Sequence, residues 1–163
     1  MRESRNYYLD TGYLLSYLYR PKEEALRKLN IDKEQMRTTV RVIGAIKPEN
    51  VKIPVFAMGE AASKLAEKNI SIGVVDLISR FEIAWPSREE FNVFCEIIDK
   101  LSDEDQRLES MDCLIVALAL ANPDCRGLLT FDKNLINNKV VLKLSKRVVR
   151  KRDFLVTDDP AVR

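Results

Sequence analysis

Apolar residues along this chain fall into short continuous blocks that alternate with longer stretches of helical spacing. The first block, residues 6–9 (NYYL), reads as a short buried strand. Asp10, Thr11 and Gly12 end it before an apolar turn or two of helix over residues 13–19. Pro21 suits the first turn of a helix running to Leu29, with Asn30 as its stop. Met36, Val40 and Ile43 keep helical spacing and predict a second helix over residues 32–46. A Lys47-Pro48-Glu49-Asn50 turn then leads to a very short strand at 51–53. Pro54 can open a helix that carries Glu60 among the small residues Ala57, Gly59, Ala61 and Ala62. Val74, Leu77, Ile78 and Phe81 predict a further helix over about 72–81, followed by a brief strand at 82–85.

Ser87 and Glu90 stand at the offset of a capping box, and the helix they start turns Phe91, Phe94, Ile97, Ile98 and Leu101 to the core. The polar residues 102–109 read as a loop or a short turn of helix. An apolar helix from Asp112 follows, ending near Asn122-Pro123, with Ser110 available as its cap. Residues 126–130 predict a strand, Lys133 to Asn137 a short helix, 140–144 (VVLKL) a last strand, and 154–156 another strand or an arm. No repeat, low-complexity tract or Gly/Ser linker divides the chain. Residues 1–163 therefore read as one domain with a basic C-terminal extension at about 139–163. Strands alternating with helices predict an α/β fold whose mainly parallel sheet is covered on both faces. In that architecture ligands collect at the carboxyl ends of the strands.

Composition narrows the chemistry. A hydrophobic fraction of 46% and a charged fraction of 32% over 163 residues are those of a folded domain able to bury a core without disulfides. The three cysteines, Cys95, Cys113 and Cys125, are odd in number and contain no C-x-x-C pair, so a reducing cytoplasmic setting is expected. No apolar run of signal-peptide kind precedes Asp10, and the longest apolar run, residues 113–121, falls short of the roughly 18 residues of a membrane span. No membrane partner is expected. The chain has no histidine, which removes Ser-His and Cys-His catalysis and histidine metal ligation together. Carboxylates, hydroxyls and amines remain.

Net charge is +2, unevenly spread: residues 139–152 hold seven Lys or Arg and no acid, leaving 20 basic against 25 acidic residues elsewhere. Such a run commonly does no more than solvate a surface. Phosphate neutralisation by basic side chains supplies much of nucleic-acid affinity, however, so Lys143, Lys146, Arg147, Arg150, Lys151 and Arg152 are candidate nucleic-acid contacts. Tyr7, Tyr8, Tyr13, Tyr17 and Tyr19 cluster early and are expected mostly in packing.

Four acids stand in chemically suggestive settings. Asp10 and Asp132 each follow a strand and precede a helix, which suits an N-cap. They share a predicted position, on the same edge of the sheet, with Thr130 supplying a strand-end hydroxyl. Asp112 lies in the first turn of its helix, where the dipole favours an acid by roughly 0.3–1 kcal/mol. Glu60 lies in mid-helix among Ala and Gly, where a carboxylate needs a partner. Four carboxylates without histidine or thiolate suit a hard cation, Mg²⁺ or Mn²⁺. A metal held by acids polarises phosphoryl oxygens and lowers the pKa of a bound water, so phosphodiester hydrolysis is the predicted chemistry.

Four stretches carry a resemblance: Tyr8-Leu9-Asp10-Thr11-Gly12-Tyr13-Leu14-Leu15, Met58-Gly59-Glu60-Ala61, residues 111–119 (MDCLIVALA) and Leu129-Thr130-Phe131-Asp132-Lys133-Asn134-Leu135. In order and setting they resemble the acidic motifs of PIN-domain (PilT N-terminal) nucleases, over residues 6 to 145. The resemblance implies a three-layer α/β/α sandwich that cuts RNA with Mg²⁺ or Mn²⁺. It assigns Asp10, Glu60, Asp112 and Asp132 as metal ligands and catalytic acids, Thr130 as the family's hydroxyl, and Thr11 more weakly. Many small members resemble one another as VapC-type toxins, commonly homodimeric and neutralised by an antitoxin protein. This chain departs from that pattern in a longer segment between Asp10 and Glu60 and in its basic continuation to Arg163. Two other readings stand beside it: a PIN-like module that binds RNA or protein without cutting, and a phosphotransfer receiver domain. The latter wants paired acids after the first strand, and Asp10 stands alone.

Overall fold

The first apolar block is strand β1 (Asn6–Leu9), buried along its whole length, and it lies at the centre of a five-stranded sheet. A computed structural model of the chain describes residues 6–20, 22–71, 80–105, 107–147 and 153–162. The other strands are β2 (Val51–Pro54), β3 (Glu82–Ala84), β4 (Cys125–Leu129) and β5 (Leu155–Thr157), in the order β3-β2-β1-β4-β5. Every pairing is parallel. Parallel strands need crossovers, and here the crossovers are helical: α1 (Thr11–Leu18), α2 (Glu23–Lys28), α3 (Lys33–Ile46), α4 (Val55–Glu67), α5 (Phe91–Glu104), α6 (Ser110–Ala121), α7 (Lys133–Ile136) and α8 (Lys139–Arg147). Helix α1 packs on α3 and α4, while α5 packs on α6 and α8, giving the helical layers of a three-layer α/β/α sandwich.

Local chemistry sets the helix ends. Asp32 and Gln35 form a reciprocal capping box at the start of α3. Asn30, at φ 56°, and Asn69, at φ 53°, take the left-handed conformation just past α2 and α4. At both ends the following amide reaches back to the helix, Ile31 to Leu26 and Ile70 to Leu65, each at 2.9 Å, in the Schellman pattern. Asn30 is thus the stop the sequence suggests. Helix α6 is buried on nearly all sides, as its unbroken apolar run requires, and touches α4, α5, β2 and β4. Tyr7, Tyr8, Tyr13 and Tyr19 are buried in packing, and Tyr17 is half-buried against Phe81, with the Arg20 guanidinium 4.1 Å above its ring.

Three expectations are corrected. Residues 140–144 are not a strand but the middle of α8, because Asn138 caps that helix by accepting from the Val140 and Val141 amides at 3.0 and 3.1 Å. The final sheet strand is β5, near the predicted 154–156. Ser110 is not the cap of α6; extended Glu109 holds that position and makes no side-chain cap bond. Helix α5 runs on to Glu104, so the start of 102–109 takes the second of its two expected forms, a short turn of helix. Of the Ser87 capping box only half is present, the Glu90 amide donating to Ser87 Oγ at 3.2 Å. Most of the predicted helix over 72–81 lies outside the described residues, as does Pro21.

The strand order decides where a ligand can sit. From β1 the chain proceeds to β2 and β3 on one side, then returns to β4 and β5 on the other. The crevice therefore opens at the carboxyl ends of β1 and β4, where the strand order reverses. Leu9 pairs with Leu129, and the Asp10 amide donates to the Leu129 carbonyl at 2.9 Å, so Asp10 and Thr130 emerge side by side.

Close packing of β4 between its neighbours gives a direct test. A Cβ at Gly127 would lie 2.6 Å from the Leu155 carbonyl oxygen and 3.2 Å from the Tyr7 ring. Gly127→Ala should destabilise the fold by about 1–3 kcal/mol, read as a lower urea midpoint with unchanged slope. A midpoint equal to the parent's would mean that β5 does not press on β4 at this position.

Candidate active site

Asp10, the residue after β1, is 8% exposed. Its Oδ1 accepts the Thr11 amide at 2.8 Å, which caps α1. Its Oδ2 accepts the Thr130 hydroxyl at 2.6 Å. Thr130, the residue after β4, is fully buried, and its Oγ1 also accepts the Asp132 amide at 3.0 Å. Asp132 in turn caps α7, its Oδ1 accepting the Asn134 amide at 2.8 Å. The modest reading of both aspartates as helix caps is therefore correct, and it leaves the functional one open. A single hydrogen-bonded chain, Asp10 to Thr130 to Asp132, fixes the two caps to one another. The neighbouring Thr11 hydroxyl is buried without a hydrogen-bond partner.

Two helices bring the remaining acids. Asp112 is half-buried in the first turn of α6. Glu60 projects from α4 with 21% of its side chain exposed, and Lys64, one turn on, pairs with it at 3.1 Å. Asp10, Glu60, Asp112 and Asp132 all line one pocket of 260 Å³. Glu109, Lys64, Arg107 and Asn134 complete its polar wall. Among the described residues no group of three or more acids or cysteines forms a ready-made metal cage. The oxygens of Asp10, Glu60 and Asp132 rest instead on Lys64, Thr130 and backbone amides.

Crowded acids raise one another's proton affinity. Burial lifts the Asp10 carboxyl above its usual range, opposed by the Thr130 and Thr11 hydrogen bonds and reinforced by Glu60 and Asp132. Asp112 is pushed up to about 7, first by burial and then by Asp10, Asp132, Glu60 and Glu109. The site thus holds more negative charge than it can carry unprotonated at neutral pH, and a cation would relieve it.

All four predicted acids and Thr130 meet here. Lys143, Lys146 and Arg147 lie on α8, where Lys143 pairs with Glu104 at 3.2 Å and the other two are exposed in the last turn. Arg150, Lys151 and Arg152 fall outside the described residues. Residues that the sequence reading did not single out also line the pocket. Lys64 and Glu109 carry a legible signal, four residues after Glu60 and three before Asp112. Asn134 is two residues past Asp132, in the helix that Asp132 caps, whereas Arg107, on the loop before α6, carries no such signal.

Fold and site define a parallel α/β domain with an acid cluster at its switch point. No protein-family model matches this chain, and no curated protein matches it.

Two outcomes follow from this geometry. In EDTA, Asp112 is protonated to a higher pH in the folded chain than in the unfolded one, so the folded state binds more protons between about pH 4 and pH 7. Stability should therefore fall as pH rises through that window, and Asp112→Asn should flatten the fall, measured as urea midpoints across pH. A parent and variant with parallel profiles would contradict the charge crowding. Thr130→Val keeps shape but removes both hydrogen bonds of the hydroxyl, and should cost about 1–3 kcal/mol by the same measurement.

Proposed function

We propose that this protein is a metal-dependent endoribonuclease that hydrolyses RNA phosphodiester bonds. The observation that carries the reading is the convergence of Asp10, Glu60, Asp112 and Asp132 on one polar pocket at the switch point. The donors are all hard oxygens, and the raised Asp10 and Asp112 mark an uncompensated negative field, so the residues fit Mg²⁺ or Mn²⁺. Asp10, Asp112 and Asp132 would hold it, with Glu60 as ligand or outer partner. When bound, such an ion supplies Lewis acidity toward a phosphoryl oxygen and acidifies water.

The chain's own residues do the rest. Thr130 holds the second oxygen of Asp10 and, through the Asp132 amide, the start of α7, so the acids keep a fixed spacing. Lys64 counters Glu60 and stands at the pocket wall with Arg107, where both offer cations to a phosphate. The likeness of the four acidic motifs to toxin ribonucleases extends the proposal to a cytoplasmic toxin of a toxin–antitoxin pair, homodimeric and restrained by an antitoxin protein.

The test is cleavage of single-stranded RNA with Mg²⁺ or Mn²⁺. The parent should cut and EDTA should stop it. Asp10→Asn and Asp112→Asn should each lose at least about 100-fold in rate, roughly 2.7 kcal/mol of barrier, with unchanged circular dichroism. A parent that cuts no RNA in either metal, or Asn variants that cut as it does, would overturn the reading. A binding module without chemistry would retain RNA affinity in that case.

A further inference from the structure

The acidic pocket does not end at its own wall. Arg107, Leu108 and Asn134 line it and also line a second cavity of 790 Å³, set between the end of α5, the loop before α6, and the starts of α7 and α8. That volume lies within the roughly 300–1,000 Å³ of ligand sites. Resting on the endoribonuclease reading, we infer that the second cavity is a subsite for the nucleotide next to the cut phosphodiester of a single-stranded RNA.

The side chains lining it divide into those already engaged and those left over. Asn138 is engaged: its amide donates to Asp105 at 2.6 Å while its oxygen caps α8. Glu104 is engaged with Lys143 at 3.2 Å. Among the described residues Lys133, Lys139, Asn137 and the guanidinium of Arg107 have no ion pair or side-chain hydrogen bond, and neither has the side-chain amide of Asn134. Lys139 is the first residue of the nine-residue α8, where the backbone dipole favours an acid, so helix stability does not ask for lysine there, whereas a phosphate in the cavity would. Lys133, in the single turn of α7, adds a second unpaired cation to the same lining.

An asparagine amide offers donors and an acceptor, which can read a base edge that is not paired with another strand. The cavity therefore carries both parts of a nucleotide's complement, cations for phosphate and amides for base. From it, Lys139 leads onto the exposed side of α8, where Lys143, Lys146 and Arg147 follow at helical spacing. The substrate strand runs from the acids, past Arg107 and Asn134, through this cavity and along α8.

The experiment uses the full chain and a short fluorescent single-stranded RNA, with anisotropy measured in EDTA over a range of salt. Lys133→Ala/Lys139→Ala should weaken binding and lower the log–log salt slope by about 1.4, two single-strand phosphate contacts. Lys28→Ala/Lys68→Ala, outside both cavities, should change neither. In Mn²⁺, Asn137→Ala should change which base is preferred beside the cut, and the lysine pair should raise KM more than it lowers kcat. If the lysine pair binds RNA with the parent's slope while the parent cuts RNA, the subsite is refuted and the nuclease reading stands. If binding depends on the lysines but no RNA is cut, the cavity binds RNA, while the nuclease reading falls and with it the cavity's place beside a cut. If the parent neither binds RNA in EDTA nor cuts it in Mn²⁺, both fall.

Discussion

The Thr130 hydroxyl and the Asp10 carboxylate, 2.6 Å apart, join the ends of the two central strands. That contact exists only because β1 and β4 pair in parallel with Leu9 opposite Leu129. Sliding β4 by two residues, which keeps its buried face buried, would carry Thr130 about 6.6 Å along the sheet and break the contact. The register of the central pair is therefore also the spacing of the site. Everything else at the pocket is added to this base: α4 brings Glu60 from beyond β2, and α6 brings Asp112 on a helix too apolar to lie anywhere but in the core.

Such a cluster works against the fold that holds it. Asp10 and Asp112 are raised because burial and their neighbours disfavour ionisation, so charging them costs folding free energy. The opposing contribution is local. Two hydrogen bonds serve Asp10, a lysine serves Glu60, and the amides at two helix starts serve Asp10 and Asp132. The scaffold beneath is the opposite kind of environment, with Leu9, Ile53, Ile115, Leu118 and Leu129 all at 0% exposure. The crowded charge is gathered in one pocket, at the ends of β1 and β4 and on the facing parts of α4 and α6, as expected where function and stability pull in different directions.

Legibility followed how local each determinant is. The block at 6–9, the acid after it, and the helix over 32–46 could be read because strand, strand end and helical period all lie within a few neighbouring residues. The acids were legible for the same reason: each stands at a strand end or on a helix face defined by its own neighbours. Residues 140–144 could not be read so simply. Val140, Val141, Leu142 and Leu144 suit a strand by residue type, while Val141, Leu144 and Ser145 are the buried side of a helix. Asn138 decides between them, and its role shows only once its oxygen is seen on two amides. Ser110 misled in the converse way, since its residue type suits a cap while the backbone puts extended Glu109 there. Arg107 was invisible because only the packing of its loop against α7 brings it to the acids.

The change from strand to helix at 139–147 alters the electrostatics as well as the topology. In a strand, Lys143 and Lys146 would point to opposite faces, and Lys139, Lys143 and Arg147 would share a face with the apolar Val141. One set of charges would then be buried or the apolar residues exposed. In α8 the steps from Lys139 to Lys143, Lys146 and Arg147 are four, seven and eight residues, so all four cations fall on one side, while Val141 and Leu144 are buried on the other. The apolar side anchors the helix on α5, and the basic side, apart from the Lys143–Glu104 pair, is left to water and to whatever anion approaches. On the proposed nuclease reading, an acid-lined pocket repels the polyanionic substrate until a cation fills it, so the attraction that brings that substrate close has to come from the surface beside it. A single basic face starting where the second cavity opens meets that requirement, and a strip split between two faces of a strand does not.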